Sequence, residues 1–288
     1  MNYYNRIQRS IDFIEQNLEY DITLSQAASQ AYCSLYHYHR LFQSMVEHTV
    51  KDYIRKRRLS CAAEELINSD VRIVDIALKY QYKTHESFSR AFFKEVGVTP
   101  KEYRKCKKTI YNFDRVNIYN NIYKSILQEN LAGPQIISKS ELRVVGIEFR
   151  TSKSDEVDFK QIPMFWNKFL NSKLGDKIPN KTYSDTYLGY SCDFDEHANY
   201  TYLICSEVKD VAPPPRGMVQ RIIPASKYAT FDIKGPIPAN LINAWRYVYN
   251  TWLPNSGLEL IDNTDFEELN IKRINKDIPE VTIYIPIK

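Results

Sequence analysis

The chain has 288 residues, which favours two domains, because a single hydrophobic core usually stops growing at about 250–300 residues. Hydrophobic residues make up 43% of it and aromatic residues 13%, a composition that excludes a fibrous, low-complexity or largely disordered protein. The formal net charge is +4, and residues 1–110 hold 18 Lys and Arg against 13 Asp and Glu. The basic excess therefore lies in the N-terminal part, where a surface that binds phosphate would need it.

The cysteines and the apolar segments bear on the compartment. The five cysteines are odd in number, widely spaced and without a Cys-x-x-Cys pair, which fits a reduced cytosol best. The N-terminus lacks an apolar signal core, and no apolar run approaches the roughly 18 residues that would span a bilayer. We therefore expect a cytoplasmic protein that makes no contact with a membrane.

The first elements along the chain predict a supporting helix followed by a helix pair. Apolar residues repeat at intervals of three and four over residues 6–18, which predicts one amphipathic helix. Thr23-Leu24-Ser25-Gln26 is a capping box that opens a short helix, and Ser34 is a suitable N-cap for the next one. That next helix has a polar outer face of Tyr36, His39, Arg40 and Gln43. This arrangement is typical of a helix-turn-helix unit, whose second helix enters the DNA major groove.

The same pattern recurs about fifty residues later. Residues 73–77 resemble the first short helix and residues 84–93 the second, with Arg40 and Arg90 at equivalent places. Between the two units, residues 49–68 predict one helix of roughly 30 Å. Successive major-groove segments on one face of DNA lie roughly 34 Å apart, so this helix can hold two reading helices one DNA turn apart.

From residue 22 to residue 104 the chain resembles the AraC-type DNA-binding domain. The resemblance rests on Tyr53-Ile54-Arg55-Lys56-Arg57-Arg58-Leu59, on Ile76-Ala77, and on Phe92-Phe93-Lys94-Glu95-Val96-Gly97-Val98-Thr99-Pro100-Lys101-Glu102-Tyr103-Arg104. It implies an all-α domain with two helix-turn-helix units, expected over residues 1–108, that binds double-stranded promoter DNA and acts as an activator with RNA polymerase as a partner. The base-contacting positions that it implies are Tyr36, His39, Arg40, His85, Glu86, Ser89 and Arg90.

The chain departs from the family pattern at three turn positions. Tyr32 and Gln81 stand where the family usually has turn glycines, and Glu47 stands where glycine is common after the first reading helix. These turns favour a positive φ, which other residues adopt less readily than glycine. Because the Glu86 carboxylate repels phosphate, it either accepts a hydrogen bond from a cytosine amino group or makes no base contact. We therefore expect the first unit to read the sequence and the second to hold mainly the DNA backbone.

The C-terminal part predicts a different fold class. Residues 109–134 are rich in Asn and Tyr and end at Gly133-Pro134, which predicts a linker. Beyond it the sequence predicts strands around two helices, with strands at 142–149, 187–192, 200–208, 219–223, 228–233, 266–271 and 281–286, and helices at 164–170 and 241–252. Residues 135–288 are therefore expected to form an α+β domain of two pseudo-symmetric strand-helix-strand-strand halves.

These residues resemble the GyrI-like effector-binding domain. The strings that carry the resemblance are Tyr228-Ala229-Thr230-Phe231, Gly235-Pro236, Trp252-Leu253-Pro254-Asn255-Ser256-Gly257, Asp265-Phe266-Glu267 and Ile283-Tyr284-Ile285-Pro286. The resemblance implies a small-molecule effector, often a hydrophobic cation, in a cleft between the halves with Glu267 inside it. Where the family often has tyrosine two residues later, this chain has Leu269.

A carboxylate among aromatic rings attracts a desolvated cation through its own charge and through the ring faces. The rings that the sequence offers for this role are Tyr187, Tyr190, Trp166, Trp245 and Tyr284. Core packing is the alternative for each of them, and especially for the two tryptophans, which lie on predicted amphipathic helices.

The sequence therefore predicts a ligand-responsive transcription regulator without cofactor, metal or catalytic residue. His37 and His39 are not expected to bind metal together, because residues two apart on a helix diverge. One alternative is a C-terminal hydrolase of small electrophilic compounds with Glu267 as the base, although no Ser/His/Asp or Cys/His constellation accompanies it. Another is a C-terminal module that docks a second protein.

Overall fold

The computed structural model describes residues 2–107, 109–119, 133–153, 157–209, 213–234, 237, 239–262, 264–271 and 280–288. Part of the predicted linker, residues 120–132, lies outside the described residues, as do Lys108 at the predicted domain boundary and Gly235-Pro236. No helix in the described part is long and apolar enough to cross a membrane.

The N-terminal domain is all-α, as predicted. Its helices are α1 (Tyr3–Gln16), α2 (Leu24–Gln30), α3 (Leu35–Val46), α4 (Val50–Asn68), α5 (Ile73–Lys79), α6 (His85–Val96) and α7 (Pro100–Cys106). Local chemistry fixes where most of them begin. Helices α2, α3, α4, α6 and α7 each follow a Ser or Thr whose hydroxyl accepts a backbone N–H three residues on, which satisfies a donor that the helix leaves unpaired.

Helix α4 joins the two helix-turn-helix units. Its first half packs Tyr53 and Ile54 into a core shared with α1, α2 and α3, and its second half packs Leu59 and Leu66 against α5, α6 and α7. The 19 residues of α4 make a rod of about 28 Å. The reading helices α3 and α6 are therefore attached to opposite ends of one rigid element.

The unusual turn residues keep the geometry that glycine would give. Tyr32, Glu47 and Gln81 have φ values of 52°, 62° and 68°, all in the left-handed region. Glu47 ends α3 in this conformation, with its backbone N–H donating to the Gln43 carbonyl. The departures from the family pattern thus change the residue and leave the backbone path of the turns intact.

The described start of the predicted linker packs on the helical domain. Ile118 is 1% exposed, and the Phe113 ring packs edge-on against the ring of Tyr53, with centroids 5.8 Å apart. The Phe113 backbone N–H donates to the Ser60 hydroxyl at 3.1 Å. Residues 109–119 therefore extend the N-terminal domain, because their apolar side chains find a place beside α1 and α4.

The C-terminal domain is α+β, as predicted, and is built on one antiparallel sheet. Its elements are β1 (Gln135–Lys139), β2 (Leu142–Ser152), α8 (Val157–Asn171), a 3₁₀ turn (Leu174–Lys177), β3 (Thr186–Cys192), β4 (Asn199–Glu207), β5 (Val219–Ile223), β6 (Ser226–Lys234), α9 (Ala239–Tyr247), a π-helical turn (Val248–Trp252), α10 (Leu253–Ser256), β7 (Phe266–Asn270) and β8 (Glu280–Ile287). The strand order is β1-β6-β8-β7-β3-β4-β2-β5.

This order has pseudo-two-fold symmetry. Exchanging β1 with β5, β2 with β6, β3 with β7 and β4 with β8 gives the same order read from the other edge of the sheet. Each half contributes its first strand to the edge of the other half, where β1 pairs with β6 and β5 pairs with β2. The first half thus contains β1, a strand that the sequence analysis missed because its partly exposed residues show no clean alternation. Strands β3 and β7 pair at the centre, with Gly189 opposite Glu267.

The two domains pack against each other. In α1, the Tyr4 hydroxyl donates to the Asn250 carbonyl at 2.8 Å, and the Tyr3 hydroxyl accepts the Leu260 N–H at 2.9 Å. Apolar residues of α1 and α3 belong to the same buried cluster as those of α9 and α10. The arrangement places α3 beside the helices that cover the C-terminal sheet.

Candidate nucleic-acid interface and effector cleft

The outer face of α6 is open to solvent. Phe88 and Phe92 are fully buried and turn the opposite side of the helix outward, so that His85, Glu86 and Arg90 are exposed and Ser89 is half-buried. The pKa of Glu86 is lowered because its carboxylate accepts from its own backbone N–H and from the Thr84 hydroxyl. This carboxylate is thus directed toward the start of the helix, which favours capping over base contact.

The outer face of α3 is covered. Tyr36 is 6% exposed and His39 is 3% exposed, and the Arg40 side chain is 16% exposed. The covering surface belongs to the C-terminal domain, where the Phe194 ring packs edge-on against the ring of Tyr36 with centroids 4.7 Å apart. The His37 ring Nε2 lies 2.7 Å from the Ile261 carbonyl oxygen. Base contact by Tyr36, His39 and Arg40 stays a prediction, and it requires α3 to leave this position.

Arg40 connects α3 to the predicted cleft. Its Nη2 lies 3.0 Å from Oδ1 of Asp265, a residue that is 1% exposed. The guanidinium lies over the Trp245 ring, 4.3 Å from its centroid, and the Trp245 indole N–H donates to Glu267 Oε1 at 2.8 Å. We call the space around Trp245, Asp265 and Glu267 the Glu267 cleft. Its two carboxylates and one aromatic face are the groups that attract a desolvated cation.

Asp265 is held by both domains. Its Oδ2 accepts from the Tyr249 hydroxyl at 2.6 Å, and its backbone N–H donates to the Tyr36 hydroxyl at 3.2 Å. These contacts fix the carboxylate that faces Arg40. Asp265 belongs to the sequence string that identified Glu267, but its role depends on a partner 225 residues away.

The floor of the Glu267 cleft is formed by strands β3 and β4. A Cβ atom at Gly189 would lie 2.3 Å from the Tyr202 hydroxyl oxygen and 3.2 Å from Glu267 Oε2, so glycine leaves the room that both side chains occupy. The Trp166 indole N–H donates to the Tyr202 hydroxyl at 2.9 Å. Burial raises the pKa of Glu267, and the Trp245 N–H and the Arg40 charge act in the opposite direction.

The three predicted tyrosines lie elsewhere. Tyr190 and Tyr284 are on the opposite face of the sheet, because Tyr190 follows Gly189 in β3 and Tyr284 pairs with Phe266 rather than with Glu267. Tyr187 shares the face of Glu267, but its ring packs under α8 against Phe169 with centroids 5.0 Å apart. Of the five rings that the sequence offers, the structure brings Trp245 to the carboxylate, and Trp166 contacts the neighbouring Tyr202. For the three tyrosines it favours the alternative, core packing.

A second polar cluster lies under His39. Lys153 Nζ lies 2.8 Å from Asp158 Oδ2, which also accepts from the Tyr200 hydroxyl at 2.9 Å. Phe194 stacks on Tyr200 and thus separates this cluster from Tyr36. Burial lowers the pKa of His39 to about 4, with the charges of Lys153 and Lys51 acting in the same direction.

The contact between α3 and the C-terminal domain leaves polar atoms unsatisfied. His39 Nε2 and Arg40 Nε are buried and have no hydrogen-bond partner among the described residues. A buried polar atom without a partner costs about 1–3 kcal/mol. The side chains of α3 thus have hydrogen-bonding capacity that this contact does not use.

The remaining space beside Arg40 is small. A pocket of about 90 Å³ is lined by Arg40, Lys153, Trp245, Arg246 and Tyr249, among others, whereas ligand pockets for drug-sized molecules have roughly 300–1,000 Å³.

Among the residues that the structure describes, no group of three His, Cys, Asp or Glu side chains is placed to hold a metal ion.

Two family models match the chain. Residues 135–287 match the model described as integron-associated effector binding protein, and residues 27–106 match a helix-turn-helix domain. The first match alone covers more than half of the chain.

Similar proteins match one domain at a time. YbfP, an uncharacterized HTH-type transcriptional regulator of Bacillus subtilis, is 40% identical over 108 residues, which are 38% of this chain and 37% of that protein. The HTH-type transcriptional activator AarP of Providencia stuartii is 35% identical over 106 residues, 37% of this chain and 78% of that protein. Among solved structures, SAV2435 bound to tetraphenylphosphonium matches with a TM-score of 0.48 and 16% identity over 55% of this chain and 94% of that one.

Proposed function

Because the chain belongs to the AraC-type transcription regulators that carry a GyrI-like, integron-associated effector-binding domain, we propose that it reads promoter DNA through α3 and α6 and senses a hydrophobic cation in the Glu267 cleft. The observation that carries the sensing role is the Arg40 guanidinium, which lies on the Trp245 ring beside Asp265. A cation is thus already held there by an aromatic face and a carboxylate.

The DNA-binding role rests on the geometry of the two units. Helices α3 and α6 are fixed to the ends of α4, whose length of about 28 Å approaches the spacing of roughly 34 Å between major-groove segments. Arg90 on the exposed face of α6 can donate two hydrogen bonds to guanine. We therefore propose that the second unit reads bases too, in addition to the contact with the DNA backbone expected from the sequence. By analogy with the transcriptional activator AarP, the protein acts as an activator. We propose RNA polymerase as its partner and the cytoplasm as its compartment.

We propose binding without turnover in the C-terminal domain. Glu267 as a base would need a free oxygen beside an open substrate site, whereas its Oε1 accepts from Trp245 and its other oxygen faces Gly189 and Tyr202. The carboxylate is therefore better placed to attract charge than to remove a proton.

Titration of the full chain with tetraphenylphosphonium, followed by tryptophan fluorescence, tests the sensing role. We expect saturable binding that is weakened at least tenfold in Glu267→Gln, a variant that keeps the shape and removes the charge. Tetraphenylborate, which has the same shape and the opposite charge, is the matched control and is expected not to bind. Equal binding of both ions, or an unchanged Kd in the variant, would overturn the proposal.

The DNA-binding role is tested by selection from a random DNA pool with the full chain. Enrichment of a common sequence is expected, and recovery of unrelated sequences would contradict specific reading.

A further inference from the structure

We propose that the Glu267 cleft binds this chain's own first reading helix, with Arg40 as an internal cation, so that α3 reaches DNA only after an external cation takes the place of Arg40. The inference rests on the proposed function, since it assigns a regulation to the same cleft. It makes the effector and the reading arginine competitors for one position.

The first argument is steric. Arg40 and Arg90 occupy equivalent places in the two units, yet Arg90 is exposed and the Arg40 side chain is 16% exposed. A reading helix enters the major groove with its outer face, which must be free of protein. In the described arrangement α6 meets this condition and α3 does not.

The second argument is electrostatic. The surface that covers the first unit presents carboxylates to its donors, as DNA presents phosphates. Asp265 faces Arg40, and the Glu196 carboxylate accepts from both the backbone N–H and the hydroxyl of Ser25 in α2. The charges of Asp195 and Glu196 also act on Lys51, at the start of α4. The C-terminal domain thus binds the first unit through carboxylates, and the phosphates of a DNA backbone would take their place.

The third argument concerns reversibility. The contact leaves His39 Nε2 and Arg40 Nε without hydrogen-bond partners in the described part of the chain, so it is polar and incompletely satisfied. The pocket of about 90 Å³ beside Arg40 is too small for a cation with several aromatic rings. Such a cation can reach Trp245 and Glu267 only when the Arg40 side chain leaves.

Competition for the cleft couples the two domains. The external cation and the operator both favour the form in which Arg40 is released, so each must raise the affinity of the other. This coupling distinguishes the inference from simple sensing, in which the cleft would be free before the effector arrives.

Arg40→Ala gives the most direct test because its two expected effects have opposite signs. Arg40 lies in the reading helix and outside the C-terminal domain. Even so, removal of this internal cation is expected to tighten tetraphenylphosphonium binding to the full chain at least fivefold. With saturating tetraphenylphosphonium, when α3 is released in both proteins, the same variant is expected to weaken operator binding, because it lacks the reading arginine. Arg90→Ala, at the equivalent place in α6, is the matched control and is expected to leave the cation Kd unchanged.

The outcomes separate the inference from the function on which it rests. If tetraphenylphosphonium binds the unmodified chain and Arg40→Ala leaves or weakens its Kd, the competition is wrong and the sensing role stands. If the cation binds neither the unmodified chain nor Arg40→Ala, the sensing role itself is wrong.

A second variant tests the contact between the C-terminal domain and the first helix-turn-helix unit without changing the reading helix. Glu196 is exposed, so Glu196→Gln is expected to fold and, by loosening the hold on α2, to raise operator affinity about threefold without cation. Hydrogen exchange gives the structural readout: amides of residues 35–46 are expected to exchange faster with saturating tetraphenylphosphonium, while those of residues 85–96 do not change. Unchanged exchange in residues 35–46 would overturn the inference.

Discussion

Arg90 carries the clearest expectation among single side chains. It is exposed on α6, and a bidentate contact from arginine to guanine contributes about 1–3 kcal/mol of discrimination. We therefore expect Arg90→Ala to weaken operator binding by that amount while leaving binding to unrelated DNA nearly unchanged, as measured by electrophoretic mobility shift at fixed salt. An equal loss on both DNAs would mean that Arg90 contacts phosphate and does not read a base.

His39 predicts a pH dependence of stability. Its folded-state pKa of about 4 lies below its ordinary value of 6.5, chiefly because of burial, so the unfolded chain binds more protons between these two values. The free energy of unfolding must therefore fall as pH falls through this window, by about 2 kcal/mol between pH 7 and pH 5 from this residue.

Urea unfolding of His39→Asn at pH 7 and pH 5 checks the expectation. The variant should lose less stability than the unmodified chain between the two pH values, whereas His85→Asn, on the exposed face of α6, should lose as much. The same loss in all three proteins would contradict the role of His39.

The sequence indicates some of these side chains and not others. Glu267 was marked by a family string, and Trp245 was one of five rings offered for the cleft, with core packing as the alternative. Asp265 was part of the same string, yet nothing local in the sequence connects it to Arg40, 225 residues away. Gly189 was missed because its role is to leave space, which becomes visible only when Tyr202 and Glu267 are seen on either side.

Among the elements, helix α9 places Trp245 at the Glu267 cleft, whereas strand alternation places Tyr284 on the opposite face of the sheet. Trp245→Phe is expected to weaken tetraphenylphosphonium binding severalfold, because it removes the N–H that holds Glu267 and part of the ring surface. Tyr284→Phe is the matched control on the opposite face of the sheet, where the hydroxyl donates to Glu268, and it should leave the cation Kd unchanged. A similar loss in both variants would place the ligand elsewhere.

The turn after α3 offers a test of backbone strain. Glu47 has a φ of 62°, and a residue with a Cβ pays roughly 1–2 kcal/mol in this conformation. Replacement by glycine removes this strain, but glycine also has greater conformational freedom in the unfolded chain, which offsets part of the stabilisation. Glu47→Gly is therefore expected to raise the free energy of unfolding by up to about 1 kcal/mol. Glu47→Ala keeps the strain and should not stabilise; if both variants stabilise equally, loss of charge is the cause.

Elements with local signals were predicted from the sequence, and those without were missed. Capping residues and apolar periodicity located the reading helices, and runs of strand-forming residues located strands β2 to β8. The edge strand β1 was missed because it is mostly exposed, and it pairs with β6, which lies almost a hundred residues further along the chain. The placement of Tyr190 and Tyr284 required the register between β3, β7 and β8, which the pattern of a single strand does not contain.

At the scale of the whole molecule, the two domains were each predictable and their contact was not. Each domain has its own periodicity and family strings, whereas the contact between Arg40 and Asp265 depends on how two separate units meet. The one hint in the sequence is charge, since residues 111–288 hold 21 Lys and Arg against 22 Asp and Glu while the N-terminal part is basic. That contact determines which unit is free to bind DNA.

Footprinting of the full chain on its selected operator tests the central claim, that a cation in the C-terminal domain controls DNA reading by the N-terminal domain. Without a cation, we predict protection of the single major-groove segment that α6 reaches. With saturating tetraphenylphosphonium, we predict protection of two adjacent segments about one DNA turn apart, because α3 is released. An identical footprint over both segments with and without the cation would contradict the account.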